Sequence, residues 1–308
     1  MNWKTWLAGM AGAVLAACAF SAPSPSPAPR VFVAIQPQAY FVQRVAGAHV
    51  QVEVLVGPGR EPHTYEPTPR QVEDLCRARA FFSLGMPFEA RLIEKARALN
   101  PALVTVDTAA GVPRRPDEDE HDAHAPAAST PGVARSGRSD SDADPHIWLA
   151  PRLIKIQAAN ICHSLQALDP PHSAEYAANL KQFEQELDGL DTRLAASLSP
   201  FKGRRFYVFH PSFGYFADHY GLVQVAVQSS GREPGARSLS DLIDHMKSDG
   251  ARQLFVEPQF SQKTSEAIAA ATGTTLVTID PLAADPIRCI EQFAATLAAS
   301  WGGRQTGP

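Results

Sequence analysis

SAEYAANLKQFEQELDGLDTRLAASL, residues 173–198, decides the architecture. Tyr176, Leu180, Phe183, Leu187, Leu190, Leu194 and Leu198 recur in steps of three or four, the spacing of one buried helix face. Ser173 after Pro170-Pro171 offers an N-cap, and Pro200 stops the run. At about 1.5 Å per residue the helix is near 40 Å long. By itself such a helix fits a core helix packed on one sheet. Its place between two series of strands makes it a rigid spine joining two lobes.

The strands lie on either side of it. Upstream, Val31–Ile35, Val50–Val56, Ala80–Leu84 and Leu103–Val106 are short β-branched or aromatic runs, with helices expected over Pro69–Arg79 and Phe88–Leu99. Downstream, Arg205–Phe209, Val223–Val227, Gln253–Val256 and Leu276–Ile279 repeat the pattern, with helices at Leu239–Ser248 and Ser261–Ala271. Strands spaced by helices make βαβ units. The expected fold is therefore α/β: two βα lobes with mainly parallel four-stranded sheets joined by one long linker helix. The expected division is a leader over 1–18, a tether over 19–30, an N-terminal lobe over 31–170, the linker over 171–200 and a C-terminal lobe over 201–303.

The N-terminus points to export. Lys4 precedes a short apolar run from Trp6 to Ala17, too short to span a bilayer and of signal-peptide length. Leu15-Ala16-Ala17-Cys18 resembles a lipobox, which would make Cys18 a lipidated mature N-terminus anchored to a membrane. Ordinary cleavage near Ala19-Phe20-Ser21-Ala22 would discard Cys18 instead. The Pro/Ser run from Ala22 to Pro29 reads as an extended tether. A net charge of −4 with both signs interspersed argues against nucleic acid as a partner, and a monomer is expected. Besides Cys18 there are three cysteines, Cys76, Cys162 and Cys289, so at most one pair can bridge within the chain, and the lack of CxxC spacing disfavours thiolate zinc.

Four chemistry-bearing residues sit in or beside Pro-rich turns: His63, His146, His210 and Asp280. Their separations, 146−63 = 83, 210−146 = 64 and 280−210 = 70, place each in its own supersecondary unit. His210 and Asp280 follow strands, His63 follows one by a short loop, and His146 precedes a helix beginning near Pro151. Sites in open parallel sheets form beyond the carboxyl ends of the strands, so two groups from each lobe would meet in the cleft. Three imidazoles and a carboxylate suit Zn²⁺, whereas Mn²⁺ prefers more oxygen donors. Glu257, ending its strand, could orient an imidazole N–H in the same cleft or merely cap the next helix. The stretch 114–143 is acidic, carries His121 and His124 and has almost no large apolar side chain. It cannot offset its ordering entropy. It is either a solvated loop or a weak metal-gathering one.

Pro62-His63-Thr64-Tyr65-Glu66-Pro67-Thr68-Pro69, Asp144-Pro145-His146-Ile147-Trp148-Leu149 and the acidic loop ahead of the second histidine carry a resemblance. From about Val31 to Trp301 the chain resembles the metal-binding solute-binding proteins of ABC importers, the zinc and manganese group (cluster A-I). The loop's placement looks like the zinc-uptake branch. The resemblance implies His63, His146, His210 and Asp280 as ligands, with Glu61 or water as the alternative fourth donor. It also implies capture of Zn²⁺ outside the cytoplasmic membrane and delivery to a permease and its ATPase. Manganese members usually carry a carboxylate where His210 stands, which leaves Mn²⁺ as the alternative cargo. The loop is shorter and poorer in His than in the most His-rich zinc members.

Two other classes stay open on sequence alone. A zinc hydrolase could use a three-His site with a water-filled fourth position, and Glu257, His219 and Glu233 are its only candidate helpers. Neither HExxH nor GxSxG occurs, however, and no enzymatic activity is expected. An adhesin on the same fold is the other.

Overall fold

The computed structural model describes residues 28–115, 143–228 and 234–302. Cys18, the tether to Pro27, His121, His124 and Glu233 lie outside the described residues.

The N-terminal lobe runs β1 (Arg30–Val33), α1 (Gln36–Ala46), β2 (Gln51–Val54), α2 (Pro69–Cys76), β3 (Ala80–Ser83), α3 (Glu89–Leu99) and β4 (Val104–Asp107). Its sheet has the order β2-β1-β3-β4 with every pairing parallel. The central strand β3, Ala-Phe-Phe-Ser, is buried throughout, while the edge strands β2 and β4 bury no residue fully. Helices α4 (Pro151–Leu168) and α5 (Ser173–Leu198) follow. The second lobe runs β5 (Arg205–Val208), α6 (Gly214–Tyr220), β6 (Val223–Ala226), α7 (Ala236–Ser248), β7 (Gln253–Val256), α8 (Gln262–Thr272), β8 (Thr275–Thr278) and α9 (Pro286–Gly302). Its sheet, β6-β5-β7-β8, is again wholly parallel. Two parallel four-stranded sheets joined through a long helix bear out the expected fold class.

The spine is α5. It buries Tyr176, Phe183, Leu187, Leu190, Leu194 and Leu198 against α4, α1 and α9. Two ion pairs flank that seam, Arg44 to Glu186 at 2.7 Å and Arg193 to Glu291 at 2.7 Å. Its N-cap is His172 rather than Ser173, because a 3₁₀ turn over Pro170–His172 leads directly into the helix. One apolar core extends from Val31 and Phe82 through α5 to Phe213 and Phe293, so the lobes share a hydrophobic interior. A smaller cluster around Phe209, Met246 and Ile268 lies under α7 and α8.

Both sheets reverse their strand order at the middle pair, β1/β3 and β5/β7. Such switch points open a crevice at the carboxyl ends of the strands. His210 and Glu257 stand just past the neighbouring strands β5 and β7, at the C-terminal lobe's crevice.

Candidate metal centre

His63 is presented by the loop between β2 and α2. The Glu61 carboxylate folds back on that loop, accepting from the backbone N–H of His63 and of Thr64, both at 2.7 Å, and from the Thr64 hydroxyl at 2.6 Å. The Tyr65 hydroxyl and the Gln71 side chain both donate to Leu55 O, while Thr68 and Gln71 form a capping box that starts α2. The loop is thus tied at both ends, and half-buried His63 is held at the cleft.

His146 is 4% exposed and precedes a 3₁₀ turn over Ile147–Leu149. Asp144 Oδ1 accepts from its backbone N–H at 2.9 Å and pairs with its Nδ1 at 2.7 Å. His210, 5% exposed, pairs through Nδ1 with Gln228 Oε1 at 3.2 Å and lies against the Phe260 ring. Carboxylate and amide oxygens only accept, so both Nδ1 atoms carry the proton and both Nε2 atoms present lone pairs.

Those Nε2 atoms face each other. His63 Nε2 lies 3.3 Å from His146 Nε2, which lies 3.2 Å from His210 Nε2, and the three histidines bring their ligand atoms within 4.8 Å of one another. Between His146 and His210 this is a meeting of two acceptors, and it favours a cation between them. Zinc–imidazole bonds are about 2.0–2.1 Å, so two ligands on a tetrahedral ion stand about 3.3 Å apart. The spacing fits. Burial first, then the two neighbouring imidazoles, holds His210 well below its ordinary pKa, which keeps it neutral and ready to donate a lone pair.

The carboxylates are placed differently. Asp280 is outside the convergent group: its Oδ1 accepts from Gln259 Nε2 at 2.7 Å and from the Leu282 N–H at 3.0 Å. The following residues, Pro281 and Leu282, line the cavity with the three histidines. Glu257 lines that cavity as well and is 2% exposed. Its Oε1 accepts from the Ser212 hydroxyl at 3.1 Å, and its buried Oε2 finds no partner among the described residues. Burial, helped by the charge of Asp280, pushes Glu257 up to about 8. Burial also raises Asp144 to about 6, against the pull of Arg115.

Asp144, Gln228 and Trp148 escaped the sequence reading as contributors. The Asp-x-His spacing was a usable signal, since a carboxylate two residues ahead reaches both N–H groups of the histidine. Trp148 packs on His146 and donates to Pro281 O at 2.7 Å, tying one lobe to the other. His219 is engaged elsewhere, at 2.6 Å from Asp191 on the spine. Cys76, Cys162 and Cys289 are all free thiols.

Two parallel α/β lobes on one unbroken helix, with a three-imidazole cluster between them, define a solute-binding protein of the rigid-spine, metal-binding class. The model of the family described as zinc-uptake complex component A, periplasmic (ZnuA), matches residues 31–298. The chain belongs to that family. The high-affinity zinc uptake system protein ZnuA of Yersinia pestis is 29% identical over 296 residues, covering 92% of this chain and 91% of that one. That of Paracoccus denitrificans is 32% identical over 275 residues, covering 83% and 84%. A crystal structure of ZnuA superposes with a TM-score of 0.79 at 39% identity, over 89% of this chain and 99% of that one. A ZnuA deletion mutant with zinc bound gives 0.76 at 40% identity, over 89% and 98%.

Proposed function

We propose that the chain captures Zn²⁺ outside the cytoplasmic membrane and presents it to an ABC permease, whose ATPase drives import. The observation that carries this reading is the meeting of His63, His146 and His210 in the interlobe cavity, with His146 Nε2 3.3 Å from His63 Nε2 and 3.2 Å from His210 Nε2. His63, His146 and His210 hold the ion. Asp280 supplies the fourth donor once its Oδ1 leaves Gln259. Glu257, with its unpartnered Oε2, is the alternative, whereas Glu61 is spent on shaping its own loop.

Family membership supports a solute-binding role, and we read the site as binding without catalysis. No helix among the described residues is long and apolar enough to cross a membrane. We further propose that Cys18 is the lipidated anchor of a monomeric protein, and that His121 and His124 gather metal weakly ahead of the tight site. Release from membranes by Cys18→Ser tests the anchor.

Calorimetry and melting of the purified protein test the site. His210→Ala should lower zinc affinity by orders of magnitude and abolish most of the zinc-induced rise in Tm. His210→Glu adds an anionic oxygen and should shift relative preference toward Mn²⁺, the alternative cargo. Wild-type zinc affinity in His210→Ala would refute the proposed site. Comparing Asp280→Asn with Glu257→Gln identifies the fourth donor, the larger loss marking it.

A further inference from the structure

Arg115 closes a chain of contacts that runs from the C-terminal lobe to the back of His146. Its Nη1 lies 3.0 Å from Asp144 Oδ2, while the other oxygen of Asp144 holds the His146 ring. Its Nε lies 3.2 Å from Asp218 Oδ2 on α6. Its backbone N–H donates to the Tyr215 hydroxyl at 3.2 Å, and that hydroxyl donates to Asp144 O at 2.9 Å. The backbone of Asp144 closes the ring by donating to Arg115 O at 3.1 Å. The guanidinium itself sits where a side chain on Gly214 would be: a Cβ there would overlap it. Both charges are sheltered, the Arg115 side chain at 16% exposure and that of Asp144 at 2%.

Arg115 and Asp144 belong to the N-terminal lobe. Gly214, Tyr215 and Asp218 belong to α6, whose first residue is four past His210. The same helix therefore follows one histidine of the cluster and, through Arg115, braces another. A planar guanidinium is suited to hold two carboxylates at once. With one carboxylate in each lobe, it also reports whether the lobes are seated together.

We propose that Arg115 is a cross-lobe positioning residue, which keeps Asp144, and through it the ligating tautomer and pose of His146, correct only while α6 is docked against it. The proposal rests on the reading of His146 as a zinc ligand. Partners behind a metal-bound histidine commonly matter 10–100-fold in affinity. It follows that moving α6 away from Arg115 frees the His146 ring and weakens the grip on the ion, giving the permease a mechanical handle for unloading.

The test uses the full chain with Arg115→Met, Gly214→Ala, their double variant, Arg115→Lys and His146→Ala. Zinc affinity and release rate are read by chelator competition, and ligand geometry by the visible spectrum of the Co²⁺ form. Each of the first two changes should weaken zinc about tenfold or more, speed release and alter the Co²⁺ spectrum. The double should be no worse than the stronger single, because both remove one contact, and Arg115→Lys should restore part of the affinity. Gly214→Ala keeps the test informative if Arg115→Met folds poorly. Wild-type affinity, release and spectrum in both singles, with a fall in Tm equal in the apo and zinc-bound forms, would make Arg115 a fold brace and overturn the proposal. Wild-type zinc binding in His146→Ala would instead overturn the ligand assignment beneath it.

Discussion

Asp144 Oδ1 lies 2.7 Å from the Nδ1 of His146 and 2.9 Å from its backbone nitrogen, so one oxygen fixes both the ring and the main chain of a single residue. An anionic acceptor there favours the tautomer with Nε2 unprotonated and raises the basicity of that nitrogen.

Asp144→Asn keeps the shape and removes the charge, and its amide can turn an N–H toward Nδ1 and favour the wrong tautomer. Zinc affinity should fall about 10–100-fold, while His210→Ala costs more. Competition against a chromophoric chelator measures both. An Asp144→Asn protein that binds zinc as wild type does would remove the carboxylate from the site's working parts.

Glu257 makes the apo protein sensitive to alkali. Burial raises its carboxyl from 4.5 to about 8, so across that range the folded protein keeps a proton the unfolded chain has lost. Stability from this group is full below about 4.5 and is lost as pH rises through 8. His210 acts in the opposite sense, because its lowered pKa costs stability as pH falls below 6.5. The difference between wild type and Glu257→Gln isolates the glutamate. The apo variant should lose less Tm than wild type as pH rises from 4.5 to about 8, the range over which only the unfolded chain gives up that proton. Parallel melting curves for the two proteins would count against a protonated Glu257.

The spine was legible because the residues from Tyr176 to Leu198 keep one helical face through a helix of 26 residues. The eight strands were legible from their β-branched and aromatic runs, to within a residue or two at most ends. Helices α1, α6 and α9 were not assigned. In α1 the buried face includes Gln38, whose side chain accepts from the Ala34 N–H and donates to Thr108, so a polar residue interrupts the apolar pattern. With seven residues, α6 is too short for a period to show. In α9 the spacing of Ile290, Phe293 and Leu297 was available. The histidines stood out because each lies at a Pro-marked turn. Arg115, Gln228 and the Trp148–Pro281 tie come from tertiary proximity, which no local pattern encodes.

Trp148 spans the lobes with one hydrogen bond, from Nε1 to Pro281 O at 2.7 Å, and the indole is 1% exposed. Trp148→Phe keeps an aromatic ring but strands a buried carbonyl, at a cost of about 1–3 kcal/mol. Tm should drop by several degrees in apo and zinc-bound protein alike. Thermal melting at fixed protein concentration checks it, and an unchanged Tm would show that the bond contributes nothing to holding the lobes together.

Zinc should close this protein only slightly. A wide hinge requires α5 to bend, and its middle buries Phe183, Leu187 and Leu190 against neighbouring helices. Exposing three such side chains costs roughly 5–9 kcal/mol at about 1.5–3 kcal/mol each, comparable with the whole stability of an ordinary domain. Ordering a few loop residues around the ion costs far less, at about 1–2 kcal/mol per residue. Zinc is therefore expected to settle the segments carrying His63, His146 and His210 while α5 stays straight. Hydrogen exchange should show new protection near those three residues and none along the spine, with small-angle scattering profiles of apo and zinc-bound protein nearly superimposable. A fall of several ångströms in radius of gyration on adding zinc would mean that the spine bends after all.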